Sequence, residues 1–319
     1  MKLVIQIPCY NEEESLPVVL KSLPEKIEGI DEIEVLIVDD GSTDKTVDTA
    51  KRLGIKKFVR LSPNKGLAKA FAYGLEKSLE MGADITVNID ADNQYNAADI
   101  EKLIKPILDN KADIVIGTRP VENIKHFSLI KKILQKTGSA VMRLISSASV
   151  EDAPSGFRAF SRNAAMQLNV FDNYTYTLET IIQAQAKGLL LTCVPIRVNP
   201  ELRKSRLVKN IFDYIRHSVF TMLRMFIVYR PFRFFIMLSA LSIFIGLIIG
   251  ARFLWFYFSG SGNGHVQSLI LAAVLLLAGI QVALIAVLSE LVSINRKLLE
   301  DVQRRLKLLD LKNNREVVK

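Results

Sequence analysis

The sequence predicts an α/β domain with a largely parallel sheet, followed by interfacial amphipathic helices and two transmembrane helices. Two observations lead to this prediction. Short apolar runs alternate with segments of helical length over residues 1–200, and two long apolar stretches follow after residue 230. The alternation is typical of strands joined by crossover helices, and the long stretches are typical of membrane spans.

The composition limits the class of protein. The chain has 319 residues, half of them hydrophobic, and its 42 Lys and Arg against 33 Asp and Glu give a formal net charge of +9. This excess of positive charge suggests a polyanionic partner, either an anionic membrane surface or nucleic acid. Cys9 and Cys193 are far apart and without a partner motif, so we expect neither a disulfide framework nor a zinc site. The first residues do not resemble a secretory signal, and we expect the first 200 residues in a reducing cytoplasm.

Five apolar runs are predicted to form the strands of the first 200 residues. In chain order they are "LVIQIP", "IEVLIVDD", "KKFVRL", "DITVNID" and "DIVIGT". Ligands of parallel sheets bind beyond the carboxyl ends of the strands. We therefore expect one crevice to be lined by the three polar clusters that end these runs, "CYNEEE", "DDGSTDKT" and "DADNQY".

The third cluster carries the strongest functional signal. Asp90 and Asp92 end a run that reads as a buried strand, where an isolated carboxylate is costly, and Gln94 repeats the two-residue step. A solvated turn is the alternative, because Asp and Asn are common turn residues. Carboxylates spaced by two can face one hard cation, and Mg²⁺ or Mn²⁺ combines such ligands with substrate phosphates. These residues therefore predict a site for a metal-bound diphosphate.

The chain turns basic and then strongly apolar beyond the sheet domain. Residues 201–231 are predicted to form basic juxtamembrane amphipathic helices, and residues 232–289 a transmembrane hairpin. Its helices, about 232–258 and 266–289, are each long enough to cross a hydrocarbon core of ~30 Å. Basic residues flank the hairpin but are absent from its connection, which predicts a cytoplasmic sheet domain and C-terminus at the cell membrane. Residues 290–319 are predicted to form a cytoplasmic helix or short coiled coil.

Six segments, in this order, resemble the family 2 glycosyltransferases with a GT-A fold: "PCYNEEESLP", "VDDGSTDKT", "NKGLAKA", "NIDADNQY", "IVIGTR" and "DAPSGFRAFSR". With its two-helix extension the chain is similar to the polyprenyl-phosphate glycosyltransferases, which include dolichyl-phosphate mannose synthases and bacterial undecaprenyl-phosphate glucosyltransferases. The resemblance implies a Rossmann-like catalytic domain. It also implies inverting transfer of a sugar from a nucleoside-diphosphate sugar to dolichyl or undecaprenyl phosphate.

The resemblance further implies which residues bind the donor. The metal and diphosphate motif matches Asp90, Asp92 and Gln94, of which the two aspartates are expected to be catalytic. Relatives also carry an Arg-rich diphosphate loop, and "PELRKSRL" keeps its basic residues without the usual glycine. The positions that match the nucleotide pocket or this loop are Pro8, Tyr10, Asn11, Glu12, Asp39, Asp40, Lys65, Gly66, Arg203, Ser205 and Arg206.

Local structure offers alternatives for several donor residues. "NEEES" is also a helix start, and "DDGS" is also an Asp-Gly turn. Lys65 and Gly66 open a helix whose amide end faces phosphate in the functional interpretation, whereas capping by Asn64 explains the same residues.

For the acceptor, the resemblance implies that Arg119 and either Lys131 or Lys132 contact the lipid phosphate. Arg119 is also expected to be catalytic, and Ser155 is assigned to the acceptor phosphate as well. The planar fork of arginine suits phosphate oxygens, although an ordinary ion pair at a strand end is the alternative for Arg119. The segment "PSGFRAF" matches a region near acceptor and sugar, but its two phenylalanines, Phe157 and Phe160, also read as core.

Other functions were weighed against this hypothesis. A processive polysaccharide synthase needs a Q-x-x-R-W motif, and the single Trp of the chain, Trp255, falls in a predicted membrane helix. A non-catalytic membrane scaffold does not require the intact Asp90, Asp92 and Arg119. Nucleic-acid binding is not expected, because the membrane flank accounts for the basic charge. The two lone membrane helices, the heptad-like tail and the resemblance to tetrameric relatives predict a homo-oligomer, a tetramer or dimer.

Overall fold

The structure is a computed structural model that describes residues 1–120, 152–170, 176–200, 220, 223–224, 226–260 and 265–317, the last seven by their backbone. The chain divides into two compact units. The first comprises Met1–Met222 with Arg304–Lys319, and the second comprises Leu223–Gln303.

A seven-stranded sheet forms the centre of the first unit. Its strands are β1 (Lys2–Cys9), β2 (Glu32–Asp39), β3 (Lys57–Arg60), β4 (Ile85–Asn88), β5 (Ile114–Thr118), β6 (Arg158–Ser161) and β7 (Leu191–Pro195). They lie in the order β3-β2-β1-β4-β6-β5-β7. Every neighbouring pair is parallel except those made by β6, which runs antiparallel to both β4 and β5. The predicted α/β domain with a largely parallel sheet is therefore confirmed.

The five predicted strand runs all form strands, whereas β6 and β7 were not predicted. β6 is four residues long and contains Arg158, so neither apolar alternation nor length marks it as a strand. Its backbone pairs with two neighbours and its first three side chains are buried. Because β6 lies between β4 and β5 in the sheet, the segment just before β6 lies next to the end of β4.

Short helices connect the strands of this unit. They are α1 (Leu16–Ser22), α2 (Thr46–Arg52), α3 (Leu67–Glu80), α4 (Ile100–Leu108), α5 (Arg162–Gln167) and α6 (Thr177–Ala186), with a 3₁₀ turn at Ala97–Asp99. α4 shows why they form, because Ile100, Leu103, Ile104 and Ile107 recur at helical spacing and are all buried. Burying each such side chain contributes about 1.5–3 kcal/mol.

The second unit contains the helix α7 (Pro231–Phe258) and the part of α8 (Val266–Val317) that precedes Arg304. Both are long and apolar enough to cross a membrane, since each contains an 18-residue stretch whose mean hydropathy is 2.5 in α7 and 2.8 in α8. Small residues bring them together: Ser239 Oγ donates to Gly279 O at 2.7 Å, and a Cβ on Gly279 would lie 3.2 Å from Ile243 N. Close backbone approach of this kind is typical of helix pairs in membranes.

α8 is longer than the sequence predicted. The predicted second membrane helix and the predicted C-terminal helix form one continuous element in the structure. Neither Gly nor Pro occurs after Gly279, so no residue interrupts the helical hydrogen bonds where the sequence changes from apolar to charged. Most of the predicted amphipathic segment 201–231 lies outside the described residues.

Candidate active site

The three polar clusters follow strands that are neighbours in the sheet, in the order β2-β1-β4. Because these strands are parallel, their carboxyl ends meet at one edge, as predicted. The main chain continues the pairing into the loops, since Asp40 N–H donates to Cys9 O at 2.9 Å and Ile89 N–H to Gln6 O at 3.1 Å. This edge is the floor of the candidate site.

The loops after β1 and β2 are cross-linked by polar side chains. Asn11, which has a left-handed φ of 56°, donates its N–H to Ser42 Oγ at 2.9 Å and accepts from Thr43 N–H at 2.8 Å through Oδ1. Glu12 N–H donates to Thr46 Oγ1 at 2.7 Å. The predicted nucleotide residues Asn11 and Glu12 therefore hold the two loops together, whatever else they bind.

The end of β1 and the end of β2 contribute three further predicted residues. Pro8 is buried within β1, whereas the ring of Tyr10 is 43% exposed at the edge of the sheet. Asp39 is buried, accepts from Ser42 N–H at 2.9 Å and forms an ion pair with Arg60 Nε at 3.2 Å. Its Oδ1 is thus hydrogen-bonded, whereas its buried Oδ2 has the Arg60 charge beside it but accepts no hydrogen bond from the described residues.

Asp40 fixes the loop that precedes α3. Its carboxylate accepts from the backbone N–H groups of Lys65 and Gly66, each at 2.8 Å. Gly66 lies at a φ of 89°, in the region that favours glycine. The two amides that were expected to face a phosphate are therefore bound to Asp40. The Lys65 ammonium lies 5.0 Å from the ring centroid of Tyr73.

The carboxylates after β4 are held differently. Asp92 Oδ1 accepts from Gln94 N–H at 3.0 Å, across Asn93 with its left-handed φ of 62°. Asp90 Oδ1 is buried and has no hydrogen-bond partner among the residues that the structure describes. Burial and the neighbouring Asp92 charge raise the pKa of Asp90 to about 7, although the Arg119 charge opposes this. A cation at this position would remove that cost.

A glycine allows the close packing around Asp90. A Cβ on Gly156 would lie 2.8 Å from Asp90 Oδ2 and 3.0 Å from Tyr176 Oη. The glycine is fixed by its backbone, since its N–H donates to Tyr95 Oη at 3.0 Å and its carbonyl accepts from Asn88 Nδ2 at 2.9 Å. The contacts of these residues around Asp90 were not predicted from the sequence. The glycine in "PSGFRAF" was the available signal.

The residues beside Asp90 suit a hard divalent cation. Asp90, Asp92 and Gln94 offer carboxylate and amide oxygens, and one carboxylate oxygen is buried without a protein donor. In the described part of the chain, no group of three or more His, Cys, Asp or Glu side chains is placed to share a metal. A cation here would complete its shell with water and substrate oxygens, which is the usual arrangement for Mg²⁺.

Arg119 forms a buried bidentate ion pair. Its Nε and Nη2 donate to Asp152 Oδ2 and Oδ1 at 2.7 and 3.0 Å, and its backbone N–H lies 3.2 Å from Oδ2. Arg119 is 9% exposed and Asp152 is fully buried. Burial opposes the charged guanidinium, but Tyr95 and Asp152 raise the pKa of Arg119 above its ordinary value. The fork that the sequence assigned to a lipid phosphate is bound to Asp152, which was not predicted as a site residue.

The segment 153–160 is held from below. Arg158 is fully buried and donates to four neutral oxygens, at 2.6–2.8 Å: Ala153 O, Ser155 O, Thr177 O and Thr180 Oγ1. Phe157 and Phe160 are fully buried in the core. Ser155 Oγ is buried and, within the described ranges, has no hydrogen-bond partner. Five predicted site residues lie outside the described residues: Lys131, Lys132, Arg203, Ser205 and Arg206.

Comparison with known proteins identifies the family. The model of the glycosyl transferase family 2 domain matches residues 4–168. UDP-N-acetylglucosamine–dolichyl-phosphate N-acetylglucosaminyltransferase of Methanococcus voltae is 32% identical over 60% of this chain and 83% of its own length. Undecaprenyl-phosphate mannosyltransferase of Micrococcus luteus is 29% identical over 65% of this chain and 88% of its own.

A solved structure has the same fold. Glucosyl-3-phosphoglycerate synthase of Mycobacterium tuberculosis, in complex with Mn²⁺ and UDP, superposes with a TM-score of 0.55 at 18% identity. The match covers 71% of this chain and 78% of that structure. At this identity the likeness establishes the GT-A architecture and no more. With the family match and the sheet described above, this chain belongs to glycosyltransferase family 2 and is a glycosyltransferase.

Proposed function

We propose that this glycosyltransferase moves a sugar from a nucleoside-diphosphate sugar to the phosphate of a polyprenyl phosphate, either dolichyl or undecaprenyl phosphate. The observation that carries the proposal is the pair Asp90 and Asp92, with a buried carboxylate oxygen that lacks a protein partner in the described residues. The acceptor class is supported by the relatives, whose names specify dolichyl or undecaprenyl phosphate. Two helices apolar enough to span a membrane support a lipid acceptor.

In this proposal the donor lies along the edge formed by β1, β2 and β4. Asp90, Asp92 and Gln94 hold Mg²⁺ or Mn²⁺, which when bound supplies positive charge beside the nucleoside diphosphate. The cross-linked loops after β1 and β2 shape the nucleotide pocket, with the exposed ring of Tyr10 at its rim. Asp40 contributes by fixing the Lys65–Gly66 backbone.

The acceptor needs little activation by the protein. A phosphate monoester is already anionic near neutral pH, so a dedicated general base is less necessary than for a sugar hydroxyl. We assign Ser155 Oγ to the acceptor phosphate as a hydrogen-bond donor, because it is buried and no partner is found for it among the described residues. Lys131, Lys132, Arg203 and Arg206 are proposed to add positive charge.

The ion pair between Arg119 and Asp152 changes the role that we propose for Arg119. Its raised pKa keeps the guanidinium charged, and this charge lowers the cost of the Asp90 carboxylate. The bidentate pair with Asp152 occupies two of its donors. We therefore propose that Arg119 attracts the acceptor phosphate mainly through charge. Attack by that phosphate on the anomeric carbon, opposite the leaving diphosphate, is a single displacement that inverts the configuration.

Transfer is tested directly with the purified chain in nanodiscs. Radiolabelled sugar nucleotides are offered with undecaprenyl or dolichyl phosphate, in Mn²⁺, Mg²⁺ or EDTA. We expect one sugar nucleotide to give a labelled lipid that requires the divalent cation. Hydrolysis of the donor without lipid product, or growth of a polymer, would contradict the proposal.

We also propose that the catalytic unit and the end of α8 face the cytoplasm. In a variant with both native cysteines replaced by serine, a cysteine at Ser259 should react with an impermeant maleimide in intact cells. A cysteine at Asp310 should react after permeabilisation, and the reverse pattern would overturn the orientation. Mass photometry in nanodiscs tests the proposed dimer or tetramer.

A further inference from the structure

The segment after β7 makes an unusual contact with the loop of the metal carboxylates. Asn199 Nδ2 donates to Tyr95 O at 3.1 Å, to Asn93 O at 3.2 Å and to Asn93 Oδ1 at 3.3 Å. Asn199 N–H donates to Gln94 O at 2.9 Å. One asparagine thus contacts three consecutive residues of the loop that follows Asp92.

Additional bonds fix the register of this contact. Asn96 N–H donates to Arg197 O at 3.3 Å, and Tyr95 and Val198 form an antiparallel bridge. Arg197 N–H and Nη2 donate to the buried carboxylate of Asp99 at 2.7 and 2.8 Å. Asn199 is therefore presented to the loop by an anchored backbone.

Asn93, whose carbonyl and side chain accept hydrogen bonds from Asn199, sets the direction of the chain between Asp92 and Gln94. Asn93 has a left-handed φ of 62°, which L-residues adopt at a cost. With Asn93 in this conformation, Gln94 N–H reaches Asp92 Oδ1 at 3.0 Å. In an extended conformation at Asn93, the chain direction after Asp92 would change and this bond would be lost.

We infer that Asn199 is a positioning residue for the metal site, which holds Asn93 in the left-handed conformation that aims Asp92 and Gln94 at one cation. This inference rests on the proposed function, because it assumes the metal carried by Asp90 and Asp92. Asn199 acts through the loop at Asn93, Gln94 and Tyr95, and the hydrogen bonds described for it go to none of the proposed ligand side chains. Contacts behind metal ligands typically contribute 10–100-fold to metal affinity.

The inference also has a reciprocal consequence. If Asn199 favours the arrangement that binds metal, metal binding must favour the Asn199 contact by the same factor. The amides of Asn96 and Asn199, which donate across the two segments, should then exchange more slowly when Mn²⁺ is bound. Residues 201–231, predicted to lie at the membrane, follow directly in the chain.

The test measures Mn²⁺ binding to the full chain in detergent, by electron paramagnetic resonance without any donor sugar. Asn199→Ala should weaken Mn²⁺ binding by about 10-fold, the lower end of the range for such contacts. Adding Asn93→Gly should restore part of the affinity, because glycine adopts a left-handed φ without a steric cost. Arg197→Ala is the matched control. It keeps the backbone bond from residue 197 N–H to Asp99 that anchors the segment and removes only the bonds made by the exposed side chain. It should lower the melting temperature with Mn²⁺ affinity within about twofold of wild type.

Each result decides between the two proposals. If Asn199→Ala binds Mn²⁺ as tightly as wild type, or no more weakly than Arg197→Ala does, the role of Asn199 is overturned and the proposed function is left intact. The role is also overturned if Asn93→Gly restores no Mn²⁺ affinity to Asn199→Ala and if, in wild type, Mn²⁺ does not slow hydrogen exchange of the Asn96 and Asn199 amides. If wild-type protein binds no more Mn²⁺ than Asp92→Asn, the metal site itself is wrong and the inference falls with it.

Discussion

The loops after β1 and β2 and the loop after β4 lie at the same edge of the sheet, yet their carboxylates differ in the hydrogen bonds that they accept. Both oxygens of Asp40 accept a backbone N–H group. Asp39 accepts an amide N–H at Oδ1 and has the Arg60 guanidinium beside Oδ2, although Oδ2 accepts no hydrogen bond from the described residues. Asp90 has a buried oxygen without a partner in the described residues, and Asp92 stands close enough to raise its pKa.

This difference separates carboxylates that hold the fold from carboxylates that are available for chemistry. A buried carboxylate with several donors stabilises the loop that supplies them. A buried carboxylate with one oxygen that accepts no hydrogen bond destabilises the protein until a cation arrives. The sequence clusters "DDGSTD" and "DADNQY" look alike in composition, and the donors around them make the difference.

The largest effect is expected for Asp92→Asn. This change keeps the bond from Gln94 N–H but removes the charge, and we expect transfer to fall on the order of 10³-fold, or about 4 kcal/mol. Initial rates at saturating Mn²⁺ and donor give the value. Asp44→Asn is the matched change in the cross-linked loops, where the carboxylate accepts from Glu13 and Thr46. It should reduce stability much more than turnover, and equal losses of turnover would remove the contrast between the regions.

The next effect concerns Arg119 and Asp152. Arg119→Ala removes both side-chain bonds that Arg119 donates to the buried carboxylate of Asp152 and should destabilise the catalytic unit by about 3 kcal/mol. Unfolding should be followed by circular dichroism, because the single tryptophan, Trp255, lies in α7 and does not report this unit. The double variant with Asp152→Ala should be more stable than the sum of the single changes predicts. Strict additivity would mean that the pair does not exist in solution.

A smaller effect is expected at Asn11. Asn11→Ala loses the side-chain bond to Thr43 and places alanine at a left-handed φ, so we expect about 1–2 kcal/mol of destabilisation. Asn11→Gly loses the same side-chain bond without the backbone strain and should cost less. If both variants are equally stable by urea denaturation, the backbone conformation at Asn11 contributes nothing.

The sequence was sufficient for the features that depend on local pattern. Apolar runs identified β1 to β5. The spacing of Asp90, Asp92 and Gln94 predicted a metal site, which stays a prediction. It was insufficient where a long-range partner decides the outcome. Nothing near Arg119 shows that its fork meets Asp152, 33 positions later, and nothing near Lys65 shows that its amide meets Asp40. The role of Asn199 likewise depends on a contact across more than 100 residues.

The same change, from Asp to Asn, is expected to lower the stability of the protein at Asp40 and to raise it at Asp90. At pH 8 in EDTA, Asp40→Asn should lower stability by about 1–3 kcal/mol, because an amide N–H would face a new NH₂ group. Asp90→Asn should raise it by about 1 kcal/mol, or roughly 2–4 °C in melting temperature, because a poorly compensated charge is removed.

The pH dependence of that gain follows from the raised pKa of Asp90. The folded pKa of about 7 lies above the ordinary value for Asp, so the cost of the charge is absent at low pH and develops as pH rises toward 7. The advantage of Asp90→Asn in the metal-free protein should therefore be largest at pH 8 and small at pH 4.

The decisive measurement is the melting temperature of wild type, Asp40→Asn and Asp90→Asn by circular dichroism in EDTA at pH 8, repeated with Mn²⁺. We predict that Asp40→Asn melts below wild type, that Asp90→Asn melts above it, and that Mn²⁺ stabilises wild type while leaving Asp90→Asn unchanged. Loss of stability in both variants, with equal stabilisation by Mn²⁺, would contradict the account.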